Sequence, residues 1–330
     1  MHRNFAGRTA VLLFAACLST YAGATAQRTF VASNGLDSNP CTIPAPCRSF
    51  TTALTQTTTG GEIIVKDSAG YGPVVLTKAV SIISPPGIYA AITVSAGTGI
   101  VVDPGTGDVT LRGLTLTSLG GDTGIDFKTG DVLRVEDVSI IGFATFGISA
   151  QRTSSASVIM RNVTSRKNLL GTSFGTTTGT ITVTINNSQF DGNTNTGLYF
   201  HNNVLAFVRD STMTGNVFGL TNQPTAATAS RVTCTNCTMT ANSSAGVLSG
   251  GLACSGSLAR TTVIGSVVSG NQIGIWARYC GPVYAANNTI NENAIGLQSE
   301  GFGGDVYSYQ DNRLFNNGAS GIFGPLLGGQ

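Results

Sequence analysis

Between residues 109 and 321, apolar and polar side chains alternate in short runs, as strands with one buried face require. In LRVEDVSIIG, Leu133, Val135, Val138 and Ile140 fall on one side and Arg134, Glu136 and Ser139 on the other. The phase reverses at Asp137, which predicts a corner that bends one strand into the next. Such polar or glycine corners recur at Gly113, Asp137, Asn162, Asn187, Asp210, Asn236, Gly265, Asn287 and Asp311, at intervals of 22 to 29 residues. Nine to eleven residues after each corner comes a glycine: Gly124, Gly147, Gly171, Gly197, Gly219, Gly246, Gly274, Gly296 and Gly321. An apolar residue follows every one of these except Gly171. Six residues after the corner, seven consecutive repeats carry an asparagine: Asn168, Asn193, Asn216, Asn242, Asn271, Asn293 and Asn317. Asparagine tolerates the left-handed backbone of a tight turn and bonds nearby peptide groups. Stacked at the strand spacing of about 4.8 Å, such side chains can also bond one another.

Strand alternation at this period, with no helical spacing, predicts an all-β parallel β-solenoid of ten to twelve coils. Leucine-rich repeats share the length, but their leucine-asparagine consensus is missing. The repeats FDGNTNTGL and INENAIGL resemble those of the right-handed parallel β-helix proteins of the pectin-lyase-like superfamily. The resemblance extends to TFVASNGLDSNPCTIPAPCRSFTTAL and GGEIIVKDSAGYGPVVLTKAVSIIS, which look like the cap and first coil of secreted bacterial members. It covers nearly all of the chain after residue 26 and implies a polysaccharide-related role, although a fold does not fix a function. Residues 27–330 then form one domain, with a cap over 27–60 and coils over 61–325. An open solenoid end exposes core and strand edges. RSFTTALTQ, with Phe50 and Leu54 four apart, predicts a short capping helix there. At the other end Phe323, Leu326 and Leu327 suit a minimal fold-back cap.

Composition narrows the classes. Only 10% of residues are charged, but 41% are hydrophobic, which excludes a disordered polar chain. A net charge of +2 without charge blocks gives no argument for nucleic acid, nor by itself for an anionic membrane. Residues 1–26 read as a secretory signal: Arg3 and Arg8, the apolar TAVLLFAACL, then ATA. This predicts a secreted, periplasmic or cell-surface protein. FAAC ending at Cys17 also reads as a lipoprotein signal. No later apolar run reaches the length of about 18 residues that a membrane span needs.

Six cysteines remain after residue 26, an even count that suggests disulfides. Cys41 and Cys47 share a loop, Cys234 and Cys237 flank corner Asn236, and Cys254 and Cys280 fall on adjacent coils. Cys234-x-x-Cys237 is also compatible with zinc or redox chemistry.

On this architecture, chemistry belongs to outward positions. Two outward rows follow the glycines. One runs Asp126, Ser149, Ser173, Tyr199, Thr221, Leu248, Trp276, Gln298 and Phe323. The other runs Lys128, Gln151, Gly175, His201, Gln223, Gly250, Arg278, Glu300 and Pro325. Tyr199, His201, Trp276, Arg278, Gln298 and Glu300 therefore share a face suited to stacking on sugar rings and bonding their hydroxyls. His201 is also the candidate acid or base; the blander alternatives are a solvated histidine and a simple Arg278–Glu300 ion pair. A further row, Arg112, Glu136, Arg161, Asn186 and Arg209, alternates in charge. With Arg166 and Lys167 nearby it also reads as a basic stripe for an acidic polysaccharide. The catalytic motifs of the resembled enzymes are missing: no Asp-Asp pair, no Gly-His-Gly, no Arg-x-Pro-x-x-Arg and no Asp-Pro-His-Asp. No cofactor is expected, though Asp103, Asp108, Asp122, Asp126 and Asp131 supply oxygen ligands of the kind calcium takes. The sequence thus favours a polysaccharide or cell-surface glycan binder, with a divergent lyase or hydrolase and an adhesive solenoid as alternatives.

Overall fold

The computed structural model describes residues 25–225, 228–251, 254, 256, 258–309 and 311–324. Left-handed backbone appears at eight of the nine corners: Gly113 (φ 72°), Asp137 (55°), Asn162 (53°), Asn187 (49°), Asp210 (49°), Asn236 (54°), Gly265 (59°) and Asn287 (53°). Only glycine and short polar side chains hold that conformation at little cost. The ladder asparagines differ from expectation in one respect. The left-handed residue is the one just before each of them: Lys167, Gly192, Gly215, Ala241, Gly270, Glu292 and Asn316. Its bend frees the asparagine side chain to reach along the stack instead of closing its own turn.

Every strand pairing is parallel among the described residues. Successive coils build a twelve-stranded sheet, running from Ala26–Val31 to Val306–Ser308, and all but the first and last of its strands are followed by one in a ten-stranded sheet from Val74–Leu76 to Ile295–Glu300. The third wall is narrow, built from two five-stranded runs that Gln189 joins through bridges to Thr164 and Thr212. The chain is therefore a parallel β-solenoid. The alternation read from the sequence is the burial pattern: Leu133, Val135 and Ile140 are fully buried, while Arg134, Glu136 and Ser139 are not.

Two ladders run through the corners. In the first, the Oδ1 of each asparagine accepts both the backbone N–H and the Nδ2 of the preceding one. The distances are 3.1 and 3.1 Å from Asn168 to Asn193, and 2.9 and 2.9 Å from Asn242 to Asn271. The series starts at buried Phe143, whose N–H donates to Asn168 Oδ1, and runs to Asn317. The second ladder lies one residue past the corner: Val163 N–H to Ser188, Ser188 N–H to Ser211, Cys237 N–H to Ser266, Ser266 N–H to Asn288, and Asn288 N–H to Asn312. The first ladder also explains the glycines. A Cβ on Gly197 would lie 2.8 Å from the Gly219 carbonyl oxygen and 3.1 Å from Asn216 Nδ2, so no side chain fits beside the ladder.

At the N-terminal end, Ser49 caps the helix Phe50–Gln56 and accepts the Thr52 N–H at 3.2 Å, and Phe50, Ala53 and Leu54 are buried. Asp37 accepts the backbone N–H groups of Arg48 and Ser49, both at 2.9 Å. Phe323 packs partly buried on the core at the other end; Leu326 and Leu327 lie outside the described residues, as do residues 1–24, including Cys17, and Pro325. Three disulfides form: Cys41–Cys47, Cys234–Cys237 and Cys254–Cys280. The Cys234-x-x-Cys237 pair is thus a cross-link, buried at 0% and 1% exposure, rather than a metal or dithiol site.

Candidate functional site

The two outward rows lie in the register expected. Asp126, Ser149, Ser173, Tyr199, Thr221, Leu248, Trp276 and Gln298 are successive pairing partners across the ten-stranded sheet. Arg278 pairs with Glu300 in the second row.

These residues divide into three groups. Tyr199 and Arg278 stand at the two ends of a cleft of about 340 Å³, with Thr221 and Leu248 buried between them on its floor. The Thr221 hydroxyl has no hydrogen-bond partner there. Trp276 and Glu300 brace Arg278 from the side. The indole Nε1 donates to Glu300 Oε2 at 3.1 Å, Arg278 Nε lies 3.0 Å from the same oxygen, and the guanidinium sits 4.6 Å from the indole centroid. The ion pair foreseen as the bland reading therefore exists, and it fixes the arginine's direction. Gln298 is partly buried beside Trp276 in the row.

His201 forms the third group. Its ring stacks on Tyr199 at 5.6 Å between centroids and fills the notch above Gly175, where a Cβ would lie 2.0 Å from Cε1. Burial lowers its pKa from 6.5 to about 4, so the imidazole is neutral near pH 7. Burial also raises the Tyr199 hydroxyl. An imidazole protonated only below about pH 4 is a weak base at neutral pH, and this ring packs beside the cleft, against Tyr199.

Strict alternation missed part of the lining. Leu170, Thr196 and Phe218, each just before a repeat glycine, also face the cleft. The glycine and the residue after it both turn inward, as the contacts of a Cβ built on Gly147 (Ser165 Oγ) and Gly219 (Met213 Cβ) indicate. Two consecutive inward positions push the preceding residue out onto the binding face. Asn195 and Gln223 complete the lining from the adjoining turns.

A second cleft, of about 400 Å³, lies on the same sheet over Asp126, Ser149 and Gln151. Burial raises the Asp126 pKa and Lys128, 3.8 Å away, works against it. Arg152 is buried there, 4.3 Å above the Phe127 ring, and donates to the Gly130 carbonyl at 2.9 Å.

Three more of the early aspartates have partners of their own. Asp103 accepts the Thr129 hydroxyl at 2.6 Å, Asp131 accepts the Gly107 N–H at 2.7 Å, and Asp108 pairs with Arg134 at 3.5 Å. Among the described residues no three His, Cys, Asp or Glu side chains converge as a metal site. In the charge row, Glu136 does lie between Arg112 and Arg161, but it reaches only Arg112, at 4.0 Å.

No family model and no curated protein matches the sequence. Solved structures do resemble the fold. The pectate lyase Pel9A superposes with a TM-score of 0.59 at 16% identity, over 86% of this chain and 75% of its own. XylC in complex with xylose superposes with a TM-score of 0.52 at 9% identity, over 88% of this chain and 70% of its own. With three walls of parallel strands, ladders at the corners and these likenesses, the chain has the parallel β-helix fold of the pectate lyases.

Proposed function

We propose that this is an exported protein that binds a polysaccharide or cell-surface glycan in the cleft between Tyr199 and Arg278, without turning it over. The observation that carries the reading is the pairing of an aromatic ring with an oriented cation across a buried, polar-dotted floor. A sugar ring lying on Tyr199 would place hydroxyls beside the Arg278 guanidinium and the Asn195 and Gln223 amides that line the same cleft. The names of two solved neighbours, a pectate lyase and a protein complexed with xylose, agree with a carbohydrate ligand. Binding is favoured over cleavage because glycoside hydrolysis needs two working carboxyl groups flanking one bond. Near this cleft Glu300 is tied to both Trp276 and Arg278. Export is supported by the signal-like start and by three disulfides, which persist in oxidising compartments.

A glycan array followed by calorimetry on the best ligand tests this, with reducing-end and unsaturated-product assays run on the same samples. Tyr199→Ala and Arg278→Ala should each weaken binding about tenfold, roughly 1.4 kcal/mol. Retained affinity in both variants would remove the cleft from consideration. Product formation that His201→Ala abolishes would replace binding by catalysis.

A further inference from the structure

The twelve-stranded wall carries a different chemistry. On three successive coils the strands Val204–Arg209, Ala229–Thr235 and Leu258–Ile264 pair in register. Arg231 lies directly beside Arg260, and Arg209 sits on the preceding coil opposite Thr235. All three arginines are exposed, and none has a carboxylate within ion-pair distance among the described residues. Two like charges facing each other on adjacent strands, about 4.8 Å apart, repel. The nearest acids on this wall give little relief. Asp210 accepts the Asn236 amide at 3.3 Å, and Asp305, two strands beyond Arg260, accepts the Tyr307 hydroxyl at 3.5 Å. Apolar groups stand exposed among the cations: Phe207 at 42% and Leu258 at 59%. A small apolar cleft of about 70 Å³ opens between Leu258, Pro282 and the two arginines.

We propose that this patch docks the protein onto an anionic lipid surface. Arg209, Arg231 and Arg260 would meet headgroup phosphates, while Phe207 and Leu258 enter the headgroup boundary. The combination of residues selects this partner. A soluble polyanion would satisfy the arginines but leave Leu258 in water, whereas a lipid interface takes up both. Nucleobase stacking would rest on Phe207 alone, since Arg260 lies 5.5 Å from the Tyr284 ring and Tyr307 stacks 5.3 Å from it, and it too would leave Leu258 in water. The whole chain carries a net charge of only +2, so the attraction is local and acts within a Debye length, about 10 Å at moderate salt.

Co-sedimentation of the full chain with vesicles of phosphatidylethanolamine and phosphatidylglycerol tests the proposal, with phosphatidylcholine vesicles as the neutral comparison. Partition should favour the anionic vesicles and collapse near 1 M salt, where the Debye length is about 3 Å. Arg231→Gln combined with Arg260→Gln should lower partition roughly 30-fold, about 1 kcal/mol per arginine converted at 1.4 kcal/mol per decade. Phe207→Ser should weaken it with the charge intact. The double glutamine variant should melt no lower than the parent, since it removes a repulsion, so a loss of partition is not a loss of fold. Undiminished partition of that variant overturns the proposal. So does equal binding to neutral vesicles, or tighter binding to polyuronate or an oligonucleotide than to the anionic vesicles.

Discussion

Asn242 shows how one side chain serves two coils at once. Its Oδ1 accepts the Asn216 N–H and Nδ2 at 3.1 and 3.2 Å, and its Nδ2 donates to Asn271 Oδ1 at 2.9 Å and to the Met213 carbonyl at 3.1 Å. Asn242→Ala would strand buried donors on Asn216, each lost partner costing about 1–3 kcal/mol. We expect a loss near 3 kcal/mol, read as the shift in a urea unfolding midpoint; an unchanged midpoint would deny the ladder its energetic role. Gly197→Ala should be similarly harmful, because its Cβ has nowhere to go. His201 gives a pH signature. The unfolded imidazole binds a proton below about 6.5, the folded one only below about 4. Between those values the unfolded state holds more protons, so stability rises with pH and is lost as pH falls through the window. Since the ring is only partly buried, about 1–2 kcal/mol is expected, and His201→Gln should flatten the difference in melting temperature between pH 7 and pH 4. The asparagine spacing was readable in the sequence because a ladder repeats one residue type at one phase. Which neighbour takes the left-handed backbone was not: Lys167, Ala241 and Glu292 carry no such signature.

At the scale of the element, alternation located the outward rows from Asp126 to Gln298 but failed at each glycine. There two inward positions follow one another, and Leu170, Thr196 and Phe218 were hidden as a result. The cleft was therefore half legible: Tyr199 and Arg278 by parity, its remaining wall only from the bend. The serine rungs of the second ladder were equally silent, since Ser, Cys and Asn share that position and no single letter repeats. The disulfides make a prediction here. Cys254 is exposed, whereas the other two bridges are buried to 1% or less. Mild dithiol reduction without denaturant should release two thiols, mapped by alkylation and mass spectrometry to Cys254 and Cys280. That reduction would loosen the turn next to Arg278 and weaken any glycan affinity. Labelling of Cys234 first would contradict the burial argument.

For the whole molecule, the two ends are unequal. The first coil is sealed by a capped helix and the buried Cys41–Cys47 bridge, while at the last coils Phe302 and Ile322 are 83% and 87% exposed. Hydrogen exchange should follow this asymmetry, with amides of Arg313–Phe315 exchanging well before those of Ile63–Val65 and mid-stack strands slowest of all. Equal protection at both ends would mean that the C-terminal coil is better covered than its side chains suggest. Net charge, a property of the whole, concealed the unpaired arginines of one wall, because the acids that balance them stand elsewhere. The first ladder carries a consequence for descent as well. Each asparagine offers oxygen backward and hydrogen forward, from Asn168 to the rung at Asn317. A gene that gains or loses one complete turn leaves every surviving rung matched, while a gain of half a turn carries the next asparagine to a different wall and leaves the last rung without a partner. The stack can lengthen and shorten only by whole units, and always in the same sense.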